Sequence, residues 1–105
     1  MSIFLQFGLS QQQFQILQDL LIQPLKSKGA QVFIFGSRAK GQFHPFSDID
    51  ILYIEGPKQA IAVAEISKIK EDLEESALTV KVDIVNIVNL ASSYSEDVHR
   101  YKVAL

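Results

Sequence analysis

The stretch from Gly36 to Asp50, GSRAKGQFHPFSDID, constrains this chain more than any other. It joins the apolar run Val32-Phe33-Ile34-Phe35 to a second one, Ile51-Leu52-Tyr53-Ile54, and it ends on two aspartates one residue apart. Strand side chains alternate faces, so Asp48 and Asp50 point the same way and Ile49 points to the other. Two carboxylates at that separation repel, and burying them is costly unless a cation lies between them. Oxygen ligands in this pattern suit Mg²⁺, which takes one or two carboxylates and fills its shell with water and substrate phosphate. A glycine turn leading from strand to helix is a place where backbone N–H groups hold phosphate. The two halves of the stretch predict a phosphate cradle facing a metal site.

Gly36-Ser37, ten further residues, and then Asp48-Ile49-Asp50-Ile51 resembles the signature of the nucleotidyltransferase (DNA polymerase β-like) superfamily. That signature includes a third carboxylate on a neighbouring strand. The candidate here is Asp83, within Thr79-Val80-Lys81-Val82-Asp83-Ile84-Val85. The resemblance covers Leu9 to Val88, and the wording GSRAKG…SDIDI looks most like the minimal nucleotidyltransferases. It implies an α/β (α+β) fold with a small mixed sheet flanked by helices, as a single domain over residues 1–105.

Composition fits a folded domain with an ordinary core: 48% hydrophobic and 21% charged residues. The absence of cysteine excludes disulfides and thiolate metal sites and agrees with a reducing, cytoplasmic setting. The opening MSIFLQFGL lacks a basic leader and a cleavage site, so no signal peptide is expected, and no window has the apolar length of a membrane span. A net charge of −2 argues against a protein that tracks long nucleic acid.

Helix and strand patterns alternate along the chain. Ser10 and Gln13 form a capping-box pair, with Leu9 placed to staple against Phe14. Phe14, Leu17, Leu21 and Leu25 then make a helical stripe that stops at Gly29, with a kink or early end expected at Pro24. A strand over Gln31–Phe35, a short helix from Ser37 to Lys40, a loop from Gly41 to Ser47 and a strand over Ile49–Ile54 follow. Pro57 suits the first turn of the next helix, whose apolar face is Ala62, Ile66, Ile69 and Leu73. A strand over Val80–Ile87 comes next. Ser93 with Glu96 suggests a second capping box, opening a final helix to about Ala104.

The resemblance implies a reaction and assigns roles. Asp48, Asp50 and Asp83 are the expected catalytic residues and the ligands of two Mg²⁺ ions, with Asp83 as the candidate base. Gly36, Ser37 and Arg38 are the expected nucleotide contacts, and AMP from ATP is the group expected to move to a hydroxyl. Each residue also has a plainer reading. Asp48 and Asp50 fit a solvated strand entry after a loop. Asp83 shares a face with Lys81 and Val85 and fits a mixed solvent face, where Lys81 either pairs with Asp83 or reaches the triphosphate. Ser37 fits a helix cap, and Arg38 and Lys40 fit solvated helix charges. His44 and His99 lack a second ligand at metal spacing. The Arg38–His44 spacing seen in some ribonuclease motifs falls in a stretch broken by Gly41 and Pro45.

Little chain follows Asp83, so acceptor specificity is expected from a partner or an oligomer. Minimal nucleotidyltransferases of this look are paired with small helical HEPN proteins as toxin–antitoxin systems. By that resemblance the chain is the antitoxin and modifies a tyrosine of a HEPN ribonuclease. Ile3, Phe4, Leu5 and Phe7 are candidates for a docking surface, with a strand packed into the core as the alternative. A non-catalytic antitoxin that occludes its partner and a small-molecule nucleotidyltransferase are the rival functions.

Overall fold

The computed structural model describes residues 5–105. A short antiparallel hairpin, β1 (Leu5–Gln6) and β2 (Leu9–Ser10), comes first among the described residues. Its turn uses two left-handed residues, Phe7 (φ 57°) and Gly8 (φ 74°). Ser10 then caps α1 (Gln11–Leu17) in a reciprocal capping box with Gln13, as the sequence suggests. Ile3 and Phe4 of the expected docking surface lie outside the described residues, and Phe7 packs against the core.

Pro24 neither ends the helix early nor stands in the interior of an α segment. A π turn over Gln18–Ile22, in which the Gln23 N–H bonds to the Gln18 carbonyl, intervenes. It puts Pro24 in the first turn of α2 (Gln23–Ser27), where a missing N–H costs little.

The main sheet holds four strands in the order β5-β4-β3-β6. β3 (Gln31–Phe35) and β4 (Ile49–Ile54) coincide with the sequence expectation and pair antiparallel. They are joined by α3 (Gly36–Lys40) and the loop that follows it. From β4 the chain crosses over through α4 (Val63–Glu74) to β5 (Val82–Asn86), which lies parallel to β4. One face of the sheet is apolar except for Asn86, which is paired with Tyr53. Val32, Ile34, Ile49, Ile51 and Tyr53 pack there with Leu17, Leu21, Ile22 and Leu25 from the first helices and with Ile69 and Leu73 from α4. Ile34, Ile49 and Ile51 have no exposed surface, so truncating any of them to alanine would cost about 2–5 kcal/mol. The site lies at the end of the sheet where β3 finishes and β4 and β5 begin.

Three boundaries depart from expectation. Pro57 does not begin a helix: a Gly56–Gln59 bridge turns the chain, Ile61 is buried, and α4 starts only at Val63. Glu55 explains the delay, since its carboxylate accepts from the Ile61 N–H and the Asn86 side chain and so holds the turn against the sheet. β5 is shorter than its apolar run because the Asn86 side chain accepts from the Val88 N–H and winds Ile87–Asn89 into a 3₁₀ turn. The last helix, α5 (Ser92–Tyr101), is capped at Ala91 without a side-chain bond, so the Ser93–Glu96 capping box does not form. It also ends before Ala104. β6 (Val103–Ala104) pairs with Phe33 and Ile34, satisfying the otherwise open edge of β3.

Candidate active site

The strand registers assemble the site. Phe35 pairs with Asp50 across β3 and β4, and Asp50 pairs with Asp83 across β4 and β5. Paired residues in a sheet project to the same face, so the Asp50 and Asp83 carboxylates stand side by side, their backbones one strand spacing of about 4.8 Å apart. Ile49 and Ile51, flanking Asp50, are buried in the core on the opposite face and fix that orientation. Asp48 precedes β4 and is exposed, while Asp50 and Asp83 are half-buried.

Electrostatics mark the cluster as short of positive charge. The Asp50 carboxyl is pushed up to about 6 by its burial first, then by the charges of Asp83 and Asp48, with Lys81 opposing. Lys81 is 3.6 Å from Asp83, in a pair open to solvent and therefore weak. Among the described residues Lys81 is the one positive charge acting on Asp50, against the carboxylates of Asp83 and Asp48. Among the described residues no three His, Cys, Asp or Glu side chains are gathered closely enough to enclose a metal ion by themselves. A partial set of carboxylates suits Mg²⁺, which draws the rest of its shell from water and phosphate. The donor chemistry of Asp48, Asp50 and Asp83 therefore fits a hard divalent cation arriving with a nucleotide.

Gly36 is required on two counts. Its φ of +74° lies in the left-handed region, and a Cβ there would run into the Asp50 carboxylate. The turn out of β3 thus passes directly over the carboxylate. Ser37 sits inside α3 and is not its cap; the cap position is Phe35, which offers no side-chain bond to the first N–H groups.

Arg38 is placed differently from expectation. It is 2% exposed, with its guanidinium bonded to the carbonyls of Phe7, Pro45 and Ser47, and so belongs to the scaffold of the loop and not to the cradle surface. Its sequence signal, a charged residue one step after Gly-Ser, carries no hint of burial. Lys40 pairs with Asp97 at 2.7 Å and lies over the Tyr101 ring, tying α3 to α5. The His44 ring accepts from the Phe46 N–H within the loop's own turn, and His99 lies against Lys102, so neither joins the carboxylates.

On the Asp83 side, away from Gly36, a groove of about 580 Å³ runs from the end of α4 to β5. Lys70, Glu74, Ser76, Thr79, Lys81 and Asp83 are among the residues that line it. Its lining lies within one continuous stretch of chain, Lys70 to Asp83, and no motif in that stretch marks it.

A strand–glycine turn–helix unit facing in-register aspartates on a mixed sheet defines a nucleotidyl-transfer fold. The Polymerase beta, Nucleotidyltransferase family matches residues 17–102, and the chain belongs to that family of enzymes. The probable protein adenylyltransferase MntA of Haemophilus influenzae is 27% identical over 106 residues, spanning all of this chain and 89% of that protein. A solved structure assigned as a minimal nucleotidyltransferase superposes with a TM-score of 0.66 at 28% identity, over 90% of this chain and 94% of its own. A toxin–antitoxin crystal structure with AMP-PNP shares the fold, with a TM-score of 0.62 at 22% identity over 83% of this chain and 70% of its own.

Proposed function

We propose that the chain is a Mg²⁺-dependent protein adenylyltransferase that moves AMP from ATP to a tyrosine hydroxyl of a small helical HEPN toxin, and so acts as its antitoxin. The observation that carries this reading is the Asp50–Asp83 register beside Gly36, in a chain whose whole length aligns with the probable protein adenylyltransferase MntA. Asp48, Asp50 and Asp83 would hold the ions, which when bound offset charge developing at the α-phosphate and pyrophosphate and lower the pKa of the attacking hydroxyl. Gly36 and Ser37 would present backbone N–H groups and a hydroxyl to the β- and γ-phosphates. The nucleotide then lies on the Gly36 side of the carboxylates and the acceptor reaches Asp83 along the Lys70–Lys81 groove. Asp83 would take the proton of the acceptor hydroxyl as its oxygen bonds to the α-phosphorus and the bond to the bridging oxygen of pyrophosphate breaks.

ATP labelled at the α-phosphate and ATP labelled at the γ-phosphate, each incubated with the chain, Mg²⁺ and its partner toxin, distinguish this reaction from its rivals. Label retained on the toxin from the α position alone is the expected result. Retention of γ label would mean phosphoryl transfer, and tight binding with no label would mean occlusion.

A further inference from the structure

We propose that Arg38 is a positioning residue for Asp48, and that through it the N-terminal hairpin turn at Phe7-Gly8 supports the site; this rests on the reading of Asp48 as one of its metal-binding carboxylates. Arg38 is buried without a carboxylate partner among the described residues. Backbone carbonyls hold its charge instead. Nε and Nη2 donate to the Ser47 oxygen at 3.0 and 2.9 Å, Nη2 also to Pro45 at 3.1 Å, and Nη1 to Phe7 at 2.8 Å. The Phe43 ring covers the guanidinium at 5.3 Å.

Within the loop, the Ser47 N–H donates to the His44 carbonyl, the His44 N–H to the Ser47 hydroxyl and the Phe46 N–H to the His44 ring, but these bonds are local to the turn and do not tie it to the rest of the fold. Gly41 to Phe46 are all exposed, so no core packing sets their conformation. The Ser47 carbonyl that receives two of the bonds belongs to the planar peptide unit whose nitrogen is that of Asp48. Orienting that plane orients the backbone from which the Asp48 carboxylate projects. Because Arg38 itself sits on α3, one side chain ties the cradle helix to the first aspartate.

The same side chain reaches the hairpin. Its Nη1 bond ends on Phe7, and a Cβ on Gly8 would collide with the Phe43 ring that covers the guanidinium. Gly8, Phe43, Arg38, Ser47 and Asp48 thus form one chain of contacts from the N-terminal turn to the carboxylates. A lysine cannot replace this arrangement, because its ammonium is a single point charge without the planar fork that reaches three carbonyls.

The test compares the wild-type chain with Arg38→Lys, Gly8→Ala, Asp48→Asn and the Arg38→Lys/Asp48→Asn double variant. Mn²⁺ is titrated into each with AMP-PNP present, and amide exchange is followed without ligand. Arg38→Lys is expected to weaken Mn²⁺ binding about tenfold or more, as loss of a supporting residue does. It is also expected to speed exchange over residues 41–48 while Ile49–Ile54 stays protected. Gly8→Ala is expected to speed exchange over the same residues, and it serves if Arg38→Lys does not fold. The double variant should bind Mn²⁺ no more weakly than Asp48→Asn alone. Unchanged exchange at 41–48, or Mn²⁺ losses that multiply in the double variant, would overturn the proposal. So would a loss of metal-free nucleotide affinity that is relieved by salt, since that marks a direct phosphate contact. A wild-type chain that bound no Mn²⁺ with AMP-PNP would count against the proposed function, whereas the exchange data judge the clamp by themselves.

Discussion

Replacing Asp50 with asparagine should make this protein more stable and inactive at once. In the folded chain the Asp50 carboxyl titrates at about 6, against 3.8 for a free one, because it is partly buried and faces Asp83 and Asp48. That displacement corresponds to about 3 kcal/mol at 1.36 kcal/mol per pH unit, and solvent at this half-open site reduces it to about 1–2 kcal/mol. For an acid with a raised folded pKa, the folded state binds more protons than the unfolded one between about pH 4 and 6. Stability is therefore lost as pH rises through that window, and the full cost is present at pH 7. Asp50→Asn removes the cost, so melting in EDTA at pH 7.5 should rise by roughly 4–12 °C. The gain should vanish near pH 4, where the wild-type carboxyl is already protonated. Mg²⁺ with ATP should then raise the wild-type melting temperature by more than that of the variant. A variant no more stable than wild type at pH 7.5, or a gain equal at both pH values, would refute the electrostatic reasoning.

Gly36→Ala should cost about 1–2 kcal/mol for a left-handed alanine and should also displace the Asp50 carboxylate, so melting temperature and transfer should fall together. Ser37→Ala should weaken nucleotide binding by about 0.5–1.5 kcal/mol with little change in the single-turnover rate. Asp83→Asn should do the reverse, and a small effect on that rate would return Asp83 to a solvated strand position. Thr79→Arg, which fills the groove beside Asp83, should raise KM for the protein acceptor and leave the affinity for AMP-PNP unchanged. Equal loss of both would place the nucleotide, and not the acceptor, in that groove.

The legible parts of the fold were those whose signal is local. β3 and β4 are bounded by Gly-Ser, a loop and Gly-Pro, and their limits in the structure match the sequence pattern to the residue. The Ser10–Gln13 capping box likewise needs only residues three apart. What escaped depends on distant partners. β6 is two residues long and exists because β3 has an open edge to pair with. The delayed start of α4 depends on Glu55 reaching Ile61 and Asn86. In the site, the spacing of Gly36, Asp48 and Asp50 marks the cradle and the acidic pair, but pairing Asp83 with Asp50 requires the parallel register that only the crossover sets. Arg38 shows the limit most plainly. Its charge suggested a ligand contact, and three carbonyls distributed over forty residues of chain decide its burial instead.

The most direct measurement of the central claim is the intact mass of the partner toxin after incubation with this chain, ATP and Mg²⁺, followed by mapping of the modified residue. The expected result is a gain of one or more AMP groups on tyrosine, lost with Asp50→Asn and with EDTA. A toxin that binds the chain tightly and keeps its mass under these conditions would contradict it.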